Sequence, residues 1–210
     1  MKPRVFVAVP IHRAWAHESE DYFHAHLRAA KNWELHTLFR LYEESLIQRA
    51  RHRCLEEFLK TKADYLFFLD DDIVMINDAI GLLVGTDTHL IGGPYIHKKP
   101  PHLPTFKPLT AGDYNLRDKT SPIAVKYIAS GCMLIDRDCA ADLKKEYKYP
   151  FNCFEFEGEY LSEDWAFCQN ASNLGYQCRI HPGVVLGHLG IYAFGMNDYY
   201  ALHNKGVQNV

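Results

Sequence analysis

Apolar residues fall along this chain in two spacings. Compact runs such as Val5-Phe6-Val7-Ala8-Val9 and Tyr65-Leu66-Phe67-Phe68-Leu69 read as strands buried on both faces, and Leu35-His36-Thr37-Leu38-Phe39 has the β-propensity of another. Between them, a polar, helix-compatible stretch runs over about 18–31, and 44–61 carries apolar residues every three or four positions, the period of an amphipathic helix. Strand, helix and strand in alternation predict parallel units, hence an α/β fold with a mostly parallel central sheet flanked by helices. Further along, a short helix is expected over 76–85, with Asn77 as its cap. Val125–Ala129 and Cys132–Ile135 read as one strand with a tight point at Ser130-Gly131, and Asp136 opens a helix to about Tyr147. Phe151–Phe156 suggests a strand, and Ser162 is placed to cap a helix that stops at Gly175. Tyr176–Ile180 and Val184–Leu186 give the last strand region.

Placing the helix of 44–61 at 100° per residue puts Ile47, Cys54, Leu55 and Phe58 on its buried face. Arg51 falls among them, while Arg49, Arg53, Glu56 and Lys60 point away. A guanidinium directed inward must meet an internal carboxylate or an anionic ligand such as a diphosphate.

The strand of 65–69 runs straight into Asp70-Asp71-Asp72. Adjacent carboxylates repel one another unless donors or a cation compensate them. Two readings stand: an acidic turn whose Asn77 or Asp78 caps the next helix, or a site for Mg²⁺ or Mn²⁺, which bind through one or two carboxylates and complete their shell with water and phosphates. Asp164 lies in the first turn of its helix on the face that packs inward, and is either a buried cap or the rim of a site; Glu163 lies nearer the edge. His188, between Gly187 and Leu189-Gly190 after an apolar run, suits a third metal ligand or a packing role. The stretch 98–121, with Pro100, Pro101, Pro104 and Pro108, is expected to be an extended loop that forms binding surface, and the tail 191–210 a lid over a sugar or nucleotide.

Composition narrows the class. At 210 residues with 48% hydrophobic and 23% charged residues, one globular domain is expected. A net charge of −3 gives no general attraction to nucleic acid. The six cysteines form no C-x-x-C pair and are expected to be reduced thiols. The N-terminal apolar run is broken at Pro10, so no signal peptide or transmembrane segment is predicted, and a cytoplasmic location follows as the expectation.

Taken in order, the strand with its Asp-Asp-Asp, the Ser130–Ile135 segment, Ser162-Glu163-Asp164-Trp165-Ala166-Phe167 and the terminal Gly187-His188 make the chain resemble GT-A fold glycosyltransferases, closest to small single-domain members related to the large inverting family. That resemblance implies a Rossmann-like GT-A fold, with a nucleotide-binding half over about 1–95 and an acceptor half with the tail over about 96–210. It implies that Asp70 and Asp72 are the outer members of an Asp-x-Asp motif, with Asp70 and Asp71 at the nucleotide and Asp72, Asp70 and His188 at a Mn²⁺ or Mg²⁺ ion. By the same resemblance Arg51, Pro10 and His12 touch the nucleotide, and Asp164, with Glu163 beside it, is the general base. The implied donor is a UDP-sugar first and a GDP-sugar second, and the implied acceptor is a glycan or other hydroxyl compound. Inversion would follow from attack opposite the leaving group, although retaining relatives share the metal motif. Three other readings compete, one of them a sugar nucleotidylyltransferase, which should carry a glycine-rich phosphate loop where this chain has Pro10-Ile11-His12-Arg13. Asp70-Asp71-Asp72-Ile73-Val74 also fits the D-x-D-x-V of haloacid-dehalogenase-like phosphatases, with Asp70 as nucleophile, and a non-catalytic nucleotide-sugar or carbohydrate binder would keep the same acids.

Overall fold

The computed structural model describes residues 1–12, 14–190 and 193–203. β1 (Arg4–Pro10), α1 (His17–Ala29) and β2 (Glu34–Leu41) open the chain, and α2 (Ile47–Leu59) leads into β3 (Tyr65–Leu69). After the aspartates come β4 (Ile73–Met75), α3 (Ala79–Val84) and β5 (Leu90–Gly92), then β6 (Lys107–Pro108), β7 (Ile123–Tyr127), β8 (Cys132–Asp136) and α4 (Arg137–Glu146). The hairpin β9 (Phe154–Phe156) and β10 (Glu159–Leu161) precedes α5 (Glu163–Asn173), β11 (Cys178–Ile180), β12 (Leu186–Leu189), β13 (Ala193–Phe194) and α6 (Met196–His203).

Eight strands form one sheet in the order β2-β1-β3-β8-β5-β11-β7-β6. The expected parallel start is there: β1 pairs in parallel with β2 and β3, and β5 with β11. The sheet as a whole is mixed, because β8 runs antiparallel between β3 and β5, and β7 runs antiparallel to both β11 and β6. Read as one kinked strand in the sequence, 125–135 is two strands on opposite sides of the β5–β11 pair, with Ser130-Gly131 in the connection. Periodicity reports that a segment is extended and buried; it does not report which neighbour it pairs with.

Both faces of the sheet are covered. Phe6, Ala8, Leu66 and Phe68 pack with Cys54, Leu55 and Phe58 of α2, Leu143 of α4 and Phe167 of α5. The alternate residues Val5, Val7, Phe67 and Leu69 pack with Phe23 of α1 and Ile80 and Leu83 of α3. This two-sided burial accounts for the unbroken apolar runs. A second, three-stranded sheet, β13-β12-β4, receives the chain as it leaves the aspartates.

Several local expectations shift. α2 starts at Ile47 rather than near Glu44, whose carboxylate instead accepts the Leu46 N–H at 3.2 Å and bonds Arg49 at 2.6 Å ahead of the helix. Ile47 is 40% exposed, not core. α3 is capped by Asp78, which accepts the Gly81 N–H, while Asn77 ties to Gly183 and Val185. Ser162 holds the N-cap position of α5, but its hydroxyl donates to Asp164 rather than capping the backbone. In the tail, residues 191, 192 and 204–210 lie outside the described residues; Tyr200 of α6 accepts the Leu116 N–H at 3.2 Å, so the described part packs on the long loop. All six cysteines are free, and among the described residues no helix is long and apolar enough to cross a membrane.

Candidate functional site

The three aspartates occupy the joint where the chain passes from the large sheet to the small one, and distant segments pin them through the backbone. The Asp70 N–H donates to the Gly131 carbonyl at 3.0 Å, the Asp71 carbonyl accepts the Ala16 N–H at 2.9 Å, and the Asp72 carbonyl accepts the Leu189 N–H at 2.8 Å. Their carboxylates then diverge, which is how adjacent like charges are tolerated here. Asp70 Oδ1 bonds Arg51 Nη2 at 2.6 Å; Asp71 accepts the His12 backbone N–H at 3.0 Å; Asp72 is paired with the Lys98 ammonium.

Arg51 is 2% exposed, with its guanidinium 5.0 Å from the Phe68 ring centre. The inward placement read from the helix period is correct, and its partner is an internal carboxylate. Burial works against the charge, yet Asp70 and Glu163 together hold the pKa of Arg51 above its ordinary value. Its Nε and Nη1 are buried without a hydrogen-bond partner, so the guanidinium keeps donor capacity that Asp70 does not use.

Asp72 and His188 face each other. His188 lies opposite Ile73 in the β12–β4 pairing, and its Nε2 sits 3.6 Å from Asp72 Oδ1. Its Nδ1 is 2.7 Å from the Ile96 carbonyl, which only accepts, so Nδ1 donates there and Nε2 is the ring nitrogen turned to the carboxylate. Tyr95 abuts the imidazole edge-on at 5.2 Å. Burial opposes ionisation of Asp72, but His188 and Lys98 outweigh it and keep the carboxyl below its usual range; burial lifts Asp71 above it.

A cavity of ≈ 260 Å³ opens at this joint, its walls including Pro10, His12, Glu44, Ile47, Arg51, Asp70, Asp71, Asp72 and Glu163. It therefore collects most of the residues singled out from sequence. Glu163, read as nearer the edge of its helix, is the acid that lines it. Asp164 stands outside that lining, its carboxylate accepting from the Trp165 N–H at 2.8 Å and from the Ser162 hydroxyl. Burial raises the pKa of both acids; Asp164 adds to the rise at Glu163, and Arg51 opposes it. A second cavity of ≈ 370 Å³ is walled by His97, Lys98, Lys99, Pro100, Pro101, Leu103 and His188, two of which, Lys98 and His188, contact Asp72 of the first.

Of the three expected metal ligands, the structure brings Asp72 and His188 together and commits Asp70 to Arg51. Among the described residues no three His, Cys, Asp or Glu side chains converge on one point. A carboxylate oxygen with an imidazole nitrogen nevertheless fits Mn²⁺ or Mg²⁺ as a partial shell that water and a diphosphate would complete. Glu44 and Lys98 were not visible in the sequence as site residues. Glu44 reads as an ordinary first-turn acid, and Lys98 belongs to a loop whose path periodicity cannot trace; the Gly92-Gly93-Pro94 turn just ahead of it was the available signal.

Gly131 holds the joint closed. A Cβ there would lie 2.5 Å from Tyr95 Oη and 3.0 Å from Asp70 Oδ2. Gly131→Ala is expected to displace both groups and lower stability by about 1–3 kcal/mol, the scale of an overpacked core position. Urea unfolding checks this, and an unchanged midpoint would mean that Tyr95 moves aside freely.

No family model and no curated protein matches the sequence. Among solved structures, A197 from STIV is similar over 90% of this chain and 86% of that one, with a TM-score of 0.61 and 17% identity. Likeness at that level of identity speaks to the fold, a mixed α/β sheet flanked by helices, and not to the chemistry.

Proposed function

We propose that the protein is a GT-A type glycosyltransferase that moves a sugar from a nucleoside diphosphate to an acceptor hydroxyl. The observation that carries this reading is the aspartate joint itself: three divergent carboxylates at the mouth of a cavity, a buried guanidinium beneath, and an imidazole 3.6 Å from the last carboxylate. The cavity lining holds Glu44, Asp70, Asp71, Asp72 and Glu163 against Arg51, whose charge Asp70 already offsets. A diphosphate enters such a field only with cations.

Pro10, Ile11, Leu41 and Ile47 give the cavity an apolar wall against which a base can lie. Asp72 and His188 would hold a divalent ion, Mn²⁺ or Mg²⁺, which when bound offsets the charge gathering on the departing diphosphate. Asp70, fixed by Arg51, faces the ribose side. Glu163 and Asp164, both shifted upward by burial, supply the base that takes the acceptor proton. Asp70's engagement with Arg51 speaks against its use as a phosphatase nucleophile.

Calorimetric titration of UDP, GDP, CDP and dTDP with and without Mn²⁺ tests the proposal. One nucleotide is expected to bind with Mn²⁺ present, and Asp72→Asn to weaken it by about tenfold or more, the scale of one charge-assisted contact. Failure of every nucleotide under every metal condition would overturn the transferase reading.

A further inference from the structure

Lys98 lines the second cavity and pairs with Asp72, which lines the first. Its ammonium sits on Asp72 Oδ2, while His188 faces the other oxygen of the same carboxylate. Its stem lies against Gly190, where a Cβ would come within 3.2 Å of Lys98 Cδ, so the bare backbone there leaves room for the side chain. The segment that carries it is closed on itself: the His97 N–H donates to the Leu103 carbonyl at 3.0 Å, His102 N–H to Lys99 at 3.0 Å, and the His102 ring bonds the His97 carbonyl at 2.9 Å. Ile96 and Pro104 bridge across its base, and the His102 ring stacks on Phe194 at 4.8 Å. Lys98 is therefore a flexible cationic arm on a braced loop, about one-third exposed, aimed at the carboxylate that would also receive a metal.

We infer that Lys98 and a divalent cation are alternative partners of Asp72, and that Lys98, released when the cation arrives, turns onto the donor's diphosphate. The inference rests on the transferase reading for the diphosphate contact alone. A cation held by His188 and Asp72 Oδ1 and an ammonium on Oδ2 would stand on the two oxygens of one carboxylate, each repelling the other and drawing on the same negative charge, so metal and ammonium compete there. A lysine freed at that point stays within a few ångströms of the place where phosphate oxygens would complete the metal's shell. No bond is made or broken in the exchange. Lys98 thereby shields the empty site and then adds to the positive charge facing the leaving group.

The test uses the full chain, Mn²⁺ alone followed by UDP and GDP in saturating Mn²⁺, and two variants, Lys98→Met and Lys98→Arg. Without nucleotide, Lys98→Met is expected to bind Mn²⁺ about tenfold more tightly than wild type, since its competitor is gone, and Lys98→Arg to stay close to wild type. With Mn²⁺ saturating, Lys98→Met should bind the nucleotide about tenfold more weakly. These opposite signs are not produced by a merely structural lysine. Unchanged or weaker Mn²⁺ binding by Lys98→Met overturns the exchange. Tighter Mn²⁺ binding with unaltered nucleotide affinity overturns the diphosphate contact and leaves Lys98 as a plug. If wild type takes Mn²⁺ but neither nucleotide, the transferase reading and the diphosphate contact fall together, while the Mn²⁺ comparison alone upholds or overturns the exchange at Asp72.

Discussion

Arg51→Met is expected to destabilise the protein by about 2–3 kcal/mol, at or just below the low end of the range for breaking a buried ion pair. The guanidinium is almost fully buried and its partner Asp70 is 29% exposed, so water recovers part of the loss at Asp70 but not all. What remains is a carboxylate with Asp71 and Asp72 as neighbours in the chain and Glu163 in the same cavity wall, and without its cation. Methionine fills much of the vacated volume against Phe68, which keeps the packing term small and isolates the charge effect. Adding Asp70→Asn should therefore restore a substantial part of the lost stability, because removing both members leaves no orphan charge. Urea midpoints for the two single variants and the double variant give the coupling; strict additivity would mean that Arg51 acts by packing rather than by its bond to Asp70.

The second large effect concerns turnover. Neutralising the base of the pair Glu163 and Asp164 is expected to lower kcat by about 10²–10⁴, the usual weight of a positioned proton acceptor, with nucleotide affinity little changed. Glu163→Gln and Asp164→Asn are compared side by side, and the variant that loses turnover identifies the acceptor of the proton. Loss of nucleotide binding in equal measure would instead place these acids at the donor. Their pKa directions fix the pH dependence. Both are raised, first by burial, so the protonated, inactive base persists to higher pH than an exposed carboxyl would allow, and activity should climb with pH until the pair is ionised. Stability runs the other way. The folded state holds these protons more tightly than the unfolded chain, so ionising them strains the fold as pH rises from the ordinary carboxyl range through the raised one. Glu163→Gln should then gain about 1 kcal/mol or less at neutral pH, with the partial exposure of the site limiting it, and lose that advantage near pH 4. Thermal unfolding at the two pH values shows whether the gain is electrostatic.

Much of this site was legible because it rests on local rules. The apolar run of β3 ending in three acids located the joint where the cavity opens, and the 100° period of α2 sufficed to turn Arg51 inward. What the chain does not display is pairing. Nothing in Val125–Ile135 says that β7 and β8 lie on opposite sides of the β5–β11 pair, because sheet order is set by tertiary packing. The same blindness hid Lys98: its contact with Asp72 depends on how the loop from 97 to 103 folds back on itself, and no periodicity describes that path. At α5, the helix period put Asp164 on the inner face, and burial does raise its pKa; its carboxylate accepts from the Ser162 hydroxyl and the Trp165 N–H, while Glu163 beside it lines the cavity.

His188 meets Asp72 through strand register. Ile73 pairs with His188, Val74 with Gly187 and Met75 with Leu186, and the Leu189 N–H closes on the Asp72 carbonyl. A slip of one residue would present Gly187 or Leu189 in its place and turn the imidazole to the other face. The spacing between these two residues along the chain is thus free to drift. Insertions and deletions in the surface loops between them leave the couple intact so long as β4 and β12 stay in step. Distant homologues of this protein are accordingly better sought by aligning the two short strands with their acid and histidine than by counting the residues that separate them.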